Sequence, residues 1–318
     1  VIRVAVIGVG YLGRFHAQKY AQMEGVELVG VVDISSERAE DVARETGTAH
    51  FTDYRDLIGK IDAASIVVPT IYHFDIALDL LKSGVHCMVE KPIATTVSEA
   101  EDLIEAAENS GVVLQVGHLE RFNPAVEFLV ERVTQPLFIE GHRLSVFKDR
   151  ATDVDVVLDL MIHDIDIVLA LVDSPLKEIR AVGLPVLTPK VDIANARLIF
   201  ENGCTANLTA SRISLQNMRR VRVFQQGAYI SADCTERKNL IVTTSGIGQD
   251  KTPLVPELKS HGNVDILYSE LESFIQAVRG EEEPRVSGNA GKEALKLALE
   301  INTQIHNGLV SSPLIQFP

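Results

Sequence analysis

Through the first third of the chain, short β-branched apolar runs alternate with segments whose apolar residues recur at helical spacing. Residues 2–7, 27–32, 64–68, 86–89 and 112–116 read as strands, and residues 71–83 and 97–109 read as helices between them. That alternation predicts right-handed crossovers and a parallel sheet. Ser98 ahead of Glu99 and Glu101 predicts a helix start, while Gly84 and Gly111 stand where helices should stop. After about Gly117 the rhythm becomes strand after strand. An Asn202-Gly203 hairpin turn separates residues 194–200 from 205–210, and Gln226-Gly227 marks a second turn. Two helical stretches, 264–279 and 289–307, close the chain around an acidic turn at 280–284.

The first strand runs into Gly8-Val9-Gly10-Tyr11-Leu12-Gly13, which opens a helix. Glycines in that pattern allow a tight turn, close approach of a pyrophosphate and free helix N–H groups aimed at it. Asp33 ends the next strand, 20 residues beyond Gly13, where a carboxylate accepts from the adenosine ribose diol and repels a 2′-phosphate. The expected cofactor is NAD. Ile34 follows the acid. Arg38, a few residues on, could meet a phosphate but reads better as a solvated helix arginine. The expected fold is therefore α/β: an NAD-binding Rossmann parallel sheet over residues 1–120, then an α+β substrate and oligomerisation domain with a large, mainly antiparallel sheet over 121–318.

Two further segments fall beyond strand ends, where such sheets present ligands. One is Val67-Val68-Pro69-Thr70. The other is Glu90-Lys91-Pro92, in which the proline biases Lys91 away from helix and the Lys-Pro bond can be cis or trans. Lys91 there suits the nicotinamide end of a cofactor, or is a surface lysine. Residues 156–172 are apolar nearly all round, yet Asp159, His163 and Asp166 recur at i, i+4 and i+7 and share one face. A polar stripe on a buried helix suits a polar cavity, with Asp159 orienting His163 as a base for an alcohol proton. A structurally satisfied histidine and a metal pair are the competing readings.

Composition narrows the partners. The 44 acidic against 30 basic residues give a net charge of −14, which opposes condensation on nucleic acid or an anionic membrane. Clustered arginines can still bind a compact anion, and Arg121, Arg143 and Arg150 are candidates for a diphosphate, or for structural ion pairs. Cys87, Cys204 and Cys234 lie far apart without metal-ligand spacing, so no metal or disulfide framework is expected and a reducing cytoplasm fits. Residues 1–9 run into the glycine turn without a basic leader and read as a strand rather than a signal peptide. Residues 154–172 are too polar to span a membrane.

Taken together, Gly8-Val9-Gly10-Tyr11-Leu12-Gly13, Glu90-Lys91-Pro92 and Asp159-Leu160-Met161-Ile162-His163 resemble the glucose-fructose oxidoreductase, inositol dehydrogenase and rhizopine-catabolism (Gfo/Idh/MocA) family over essentially the whole chain. The resemblance implies that Lys91, Asp159 and His163 surround the reacting carbinol. It also implies that His73 lies beside the cofactor, in a set with Gly8, Gly10, Tyr11, Leu12, Gly13, Asp33, Ile34, Val68, Thr70, Glu90 and Lys91. The chain departs from the family's usual Asn at Thr70, Gly-Gly at Val154-Asp155 and Gly at Met161, which leaves the three reacting groups intact and alters the pocket walls. Residues 117–124 and 159–166 look more like the nucleotide-sugar branch, which oxidises C3 of UDP-N-acetylglucosamine. That branch implies substrate contacts from Arg121, Asn123, Arg143, Arg150, Lys91, Asp159 and His163, and a product for lipid A or surface-polysaccharide precursors. A free-sugar or inositol dehydrogenase and a non-catalytic NAD-sensing regulator are the alternatives. The family also implies a homo-oligomer.

Overall fold

The computed structural model describes residues 1–147, 154–243 and 256–311. The chain forms two compact units: Val1–Leu119 with Asp265–Leu295, and Glu120–Val264 with Lys296–Pro318. In the first, β1 (Ile2–Ile7), β2 (Val26–Val32), β3 (Ala49–Phe51), β4 (Ala63–Ile66), β5 (His86–Glu90) and β6 (Leu114–Gly117) make one parallel sheet in the order β3-β2-β1-β4-β5-β6. Helices α1 (Tyr11–Gln22), α2 (Ser36–Thr46), α3 (His73–Lys82) and α4 (Val97–Ser110) supply crossovers between them. The order reverses between β1 and β4, so the carboxyl ends of those strands flank a crevice where α/β sheets take ligands.

Local chemistry explains most boundaries. β4 stops at Ile66, two residues short of the expected end, and Val67-Val68-Pro69 leaves the sheet as a loop. The start of α4 is set by Thr96 rather than Ser98. The Thr96 hydroxyl accepts from the Glu99 N–H at 3.2 Å, and the Glu99 carboxylate accepts the Thr95 and Thr96 amides in return, a reciprocal cap that Ser98 inside the helix cannot make. Gly111, at φ 65°, ends the helix in the left-handed region. The three-residue β3 has no sequence signal of its own; it is fixed by pairing with β2.

The second unit holds α5 (Pro124–Arg132), β7 (Pro136–Leu144), α6 (Ile162–Leu171), β8 (Leu176–Leu184), β9 (Ile193–Phe200), β10 (Thr205–Ser211), β11 (Met218–Gln225), β12 (Ala228–Asp233), β13 (Lys238–Thr243) and β14 (Glu257–Ser260). The eight strands run in the order β14-β13-β12-β11-β7-β10-β9-β8, antiparallel throughout except for the β7–β10 pair. Alternation buries Ala194, Ala196, Leu198 and Phe200 of β9 on one face. Helix α6 packs on β7 and β10, where Gly141 leaves room: a Cβ there would come within 2.6 Å of Leu208.

Two helices follow, α7 (Ile266–Val278) and α8 (Gly288–Ser311). Sequence alone places both in the second domain, but α7 and the start of α8 belong to the first unit. Leu271, Phe274 and Ile275 of α7 join Val4, Val6, Tyr20 and Met88 in one apolar cluster, and Gly288 and Gly291 allow α8 to approach Leu114 and Val116 closely. Among the described residues, no helix is long and apolar enough to cross a membrane.

Candidate functional site

At the end of β1 the three glycines have three different reasons to be glycine. Gly8 has φ +86°, and a Cβ would sit 2.5 Å from the Val67 carbonyl oxygen. A Cβ on Gly13 would lie 1.8 Å from the Gly8 carbonyl oxygen, so helix α1 can start this close to the strand only with glycine there. Gly10 is the N-cap of α1, has a negative φ of −65°, and its Cβ would meet no protein atom within 4 Å. Among the described residues nothing requires glycine at that place; close approach of a ligand would. No side chain caps α1 and its first turn holds no acid, so its N–H groups suit a pyrophosphate. Tyr11, 77% exposed, and Ile34, 95% exposed, present apolar surface at the same end of the sheet, and Leu12 is half-buried.

Asp33 is buried and held by backbone. Its Oδ2 accepts from the Val9 N–H at 3.1 Å and its Oδ1 from the Ser35 N–H at 2.9 Å, which ties the end of β2 to the glycine turn. The carboxylate is thereby oriented with lone pairs left for a ribose diol. Arg38 is not simply solvated. Its Nη1 lies 3.3 Å from Asp33 Oδ2, although half of the side chain remains exposed.

The end of β5 carries the lysine turn, and its neighbour β4 runs into the Val67-Val68-Pro69 loop. The Lys91-Pro92 bond is cis. The Lys91 N–H donates to Glu90 Oε2 at 3.2 Å, and Glu90 Oε1 lies 3.4 Å from Nε2 of His16. Gly117 makes room for that carboxyl, since a Cβ there would come within 3.0 Å of it. His73 is buried, with Nδ1 2.9 Å from the Pro92 carbonyl oxygen and Nε2 2.9 Å from that of Val68. Burial pushes its imidazole below the ordinary histidine range, against the two carbonyls that favour the charged ring. Both ring nitrogens therefore face protein carbonyls, of which a neutral ring donates to one, and neither nitrogen is left for a cofactor. Val68 and Thr70 are half-buried on the same loop.

In the second unit Asp159 lies in a π-turn, Val157–Met161, that leads into α6, and His163 is in the first turn of that helix; both are half-buried. A π-turn takes about one residue more per turn than α, so a spacing of four still keeps the two near one face. Such turns recur at functional sites. Asp166 is buried, 3.5 Å from Nη1 of Arg121. Val154 and Asp155 are half-buried, and Asp155 accepts the Val191 N–H at 2.9 Å, a contact that two glycines would not make.

The anion candidates separate. Arg143 is buried, its Nη2 2.7 Å from Asp164 and its Nη1 2.8 Å from Glu120, so its guanidinium is taken up by carboxylates and is no phosphate ligand. Burial raises Glu120, but Arg143 and Arg219 outweigh it and hold the carboxyl below the usual range. Asn123 is likewise internal: its side chain caps α5 by accepting the Ala125 N–H at 3.1 Å and donates to Glu120 and to the Cys234 carbonyl. Arg121 keeps partial exposure. Arg150 lies outside the described residues.

Sequence reasoning missed His16 and Glu270, both fully buried in the first unit. His16 shares the buried face of α1 with Gly13, Ala17 and Tyr20, a spacing visible in the sequence but unremarkable in a helix that packs on a sheet. The three cysteines are buried and free, and the described residues contain no group of side chains that could hold a metal.

Residues 2–118 match the model of the oxidoreductase family with an NAD-binding Rossmann fold, and residues 128–231 match the family's C-terminal domain. The chain is 38% identical over 309 residues to UDP-N-acetylglucosamine 3-dehydrogenase of Acidithiobacillus ferrooxidans, covering 96% of this chain and 97% of that one. A solved structure of that enzyme superposes with a TM-score of 0.90, over 96% of this chain and 98% of the other. The scyllo-inositol 2-dehydrogenase of Bacillus subtilis is 26% identical over 97% of this chain and 95% of its own. Scyllo-inositol dehydrogenase from Lactobacillus casei, solved with NAD(H) and scyllo-inositol, shares the fold at a TM-score of 0.82 and 19% identity, over 97% and 98% of the two chains. The glycine turn, the backbone-held Asp33 and these matches lead to one conclusion: the chain belongs to the Gfo/Idh/MocA family of oxidoreductases and is an NAD-dependent dehydrogenase.

Proposed function

We propose that the protein oxidises the C3 hydroxyl of UDP-N-acetylglucosamine to the 3-keto nucleotide sugar. The observation that carries this reading is the 38% identity, extending over 96% of the chain, to an enzyme named for that reaction. The inositol enzymes are more distant at 26% identity. Gly8, Gly10 and Gly13 would hold the pyrophosphate of NAD and Asp33 its adenosine ribose, and the nicotinamide would supply the hydride acceptor for the C3 hydrogen. His163 takes the hydroxyl proton, oriented by Asp159, and the Lys91 ammonium steadies the oxygen as negative charge develops on it. Arg121 is the remaining described candidate for the sugar diphosphate.

The test is incubation with NAD and a panel of UDP-sugars, inositols and free hexoses, following NADH by absorbance and the ketone by mass spectrometry. NADH and a 3-keto sugar from UDP-N-acetylglucosamine alone support the assignment. Turnover of inositols instead would move the protein to the cyclitol branch. Lys91→Ala should bind NADH normally and lose turnover by about 100-fold or more; unchanged turnover would remove Lys91 from the chemistry. The ketone suits a coupled aminotransferase, which would place the product among lipid A or surface-polysaccharide precursors. Buried free thiols suit a reducing cytoplasm. A homo-oligomer, which light scattering of the purified protein would reveal, completes the proposal.

A further inference from the structure

Glu270 is a buried acid that the dehydrogenase chemistry does not use. It sits on α7 with no exposure, and neither carboxyl oxygen has a hydrogen-bond partner among the described residues; its backbone carbonyl accepts from Gln115 Nε2 at 3.2 Å. A carboxylate in such a place would be a buried charge without a hydrogen-bond partner among the described residues, which is costly. Burial, and then the negative charge of Glu90, push its carboxyl well above the usual glutamate range. Glu90 is the opposite case: burial would raise it, but His16 and Lys91 pull it below that range. Two buried acids that feel each other divide their protons unequally.

The surrounding groups account for that division. Helix α1 contributes His16 and Tyr20, the latter bonded to Ser65 of β4. The turn after β5 contributes Lys91, and α3 contributes His73, whose imidazole feels Glu90. Strand β6 contributes Gln115 and the Gly117 backbone against the Glu90 carboxyl, followed by the buried His118, and α7 adds Ser273 beside Glu270 in sequence turn. The Lys91 N–H and the His16 ring face Glu90. Among the described residues, no hydrogen-bond partner meets the Glu270 carboxyl oxygens.

We propose that Glu270 is a positioning residue for the lysine turn: it keeps its own proton, so that Glu90 alone carries the buried negative charge that seats the Lys91 backbone N–H and His16. Ionising Glu270 would set a second charge against Glu90 and loosen the turn. The kinetic part of this idea rests on the reading of Lys91 as catalytic, whereas the protonation of Glu270 does not depend on any sugar substrate.

The experiment compares the full-length protein with Glu270→Gln, which imitates the neutral acid, by thermal unfolding with saturating NADH from pH 5 to 9. Folded Glu270 keeps its proton while the unfolded glutamate loses it, so wild-type stability should fall with rising pH across the interval between the two values. The variant has no such proton. Its melting temperature should therefore gain on wild type with rising pH, on the order of a few degrees per pH unit within that interval. A difference that is the same at every pH overturns the proposal. The second measurement needs no variant: infrared spectra of wild type at neutral pH should show the carbonyl stretch of a protonated buried carboxyl, and its absence overturns the proposal too. Where turnover is measurable, the alkaline limb of the kcat/KM profile should move to higher pH in Glu270→Gln with KM nearly unchanged; a superimposable profile would leave Glu270 structural and refute the positioning role.

Discussion

Replacing Gly10 by alanine should separate what the chain needs from what the cofactor needs. At Gly10 the backbone φ of −65° is open to any L residue, and an added Cβ meets no protein atom within 4 Å. The unliganded protein should therefore lose no more than about 1 kcal/mol, the cost of alanine in place of glycine at an N-cap. The same methyl group projects into the space through which a pyrophosphate reaches the N–H groups of α1. If crowding there resembles an overpacked core it costs about 1–3 kcal/mol, or roughly 5- to 150-fold in NADH affinity. Gly13→Ala is the contrasting control. Its Cβ would overlap the Gly8 carbonyl oxygen at 1.8 Å, so the strand-to-helix turn must move even without ligand, lowering the melting temperature by several degrees. The assay is NADH fluorescence titration alongside thermal unfolding with and without NADH. Wild-type NADH affinity in Gly10→Ala, or an unliganded melting loss equal to that of Gly13→Ala, would refute the argument.

Other consequences can be checked separately. Asp33→Asn should weaken NAD by about tenfold and narrow the preference over NADP, because the charge that repels a 2′-phosphate is gone; Arg38→Ala, at an exposed pair, should change NAD affinity by less than about threefold. Both are read by cofactor titration, and an unaltered NAD-to-NADP ratio in Asp33→Asn would count against the ribose assignment. Arg143→Leu leaves Glu120 and Asp164 buried without their cation and should destabilise by about 3–5 kcal/mol in urea unfolding; an unchanged midpoint would show the network to be dispensable. Asp62 is held below the usual carboxylate range by hydrogen bonding to Arg3. Its contribution is present above the unfolded aspartate value and is lost as pH falls through the folded one, so Asp62→Asn should flatten acid unfolding in that window, and an equally steep acid limb would exclude this contribution.

How far the sequence carries depends on whether a residue's reason is local. The glycine turn and Asp33 were legible because backbone geometry and spacing determine them, and the structure adds only that Asp33 also pins the turn through the Val9 N–H. Gly111 and the Asn202-Gly203 turn were local for the same reason. Helix α7 was not. Its apolar face announces that something must cover it, but Leu271 and Phe274 carry no label saying which of two cores they enter. Thr96 was overlooked beside Ser98 because only the reach of Glu99 back to the Thr95 and Thr96 amides decides between neighbouring caps.

The segment 117–124 shows why a family pattern and a ligand list are different things. Its residues were expected to contact substrate because the segment resembles the nucleotide-sugar branch and because the guanidinium of Arg121 suits a diphosphate. In the structure Asn123 caps α5 and holds Glu120, Glu120 holds Arg143, and Arg143 grips Asp164 on α6, one residue after His163. The chain of contacts ends on the helix that carries the proposed base. Charged groups this deeply buried are poor general stabilisers, since an apolar core of the same volume does as well. Their geometry is directional where apolar packing is not: Arg143 donates to both oxygens of Asp164, from Nε at 3.2 Å to each and from Nη2 at 2.7 Å to one, and such a fork fixes the rotation of α6 about its axis. Asn123 and Glu120 can thus serve the proposed site by fixing the helix that carries His163 rather than by touching the sugar, while Arg121 stays the candidate for its diphosphate.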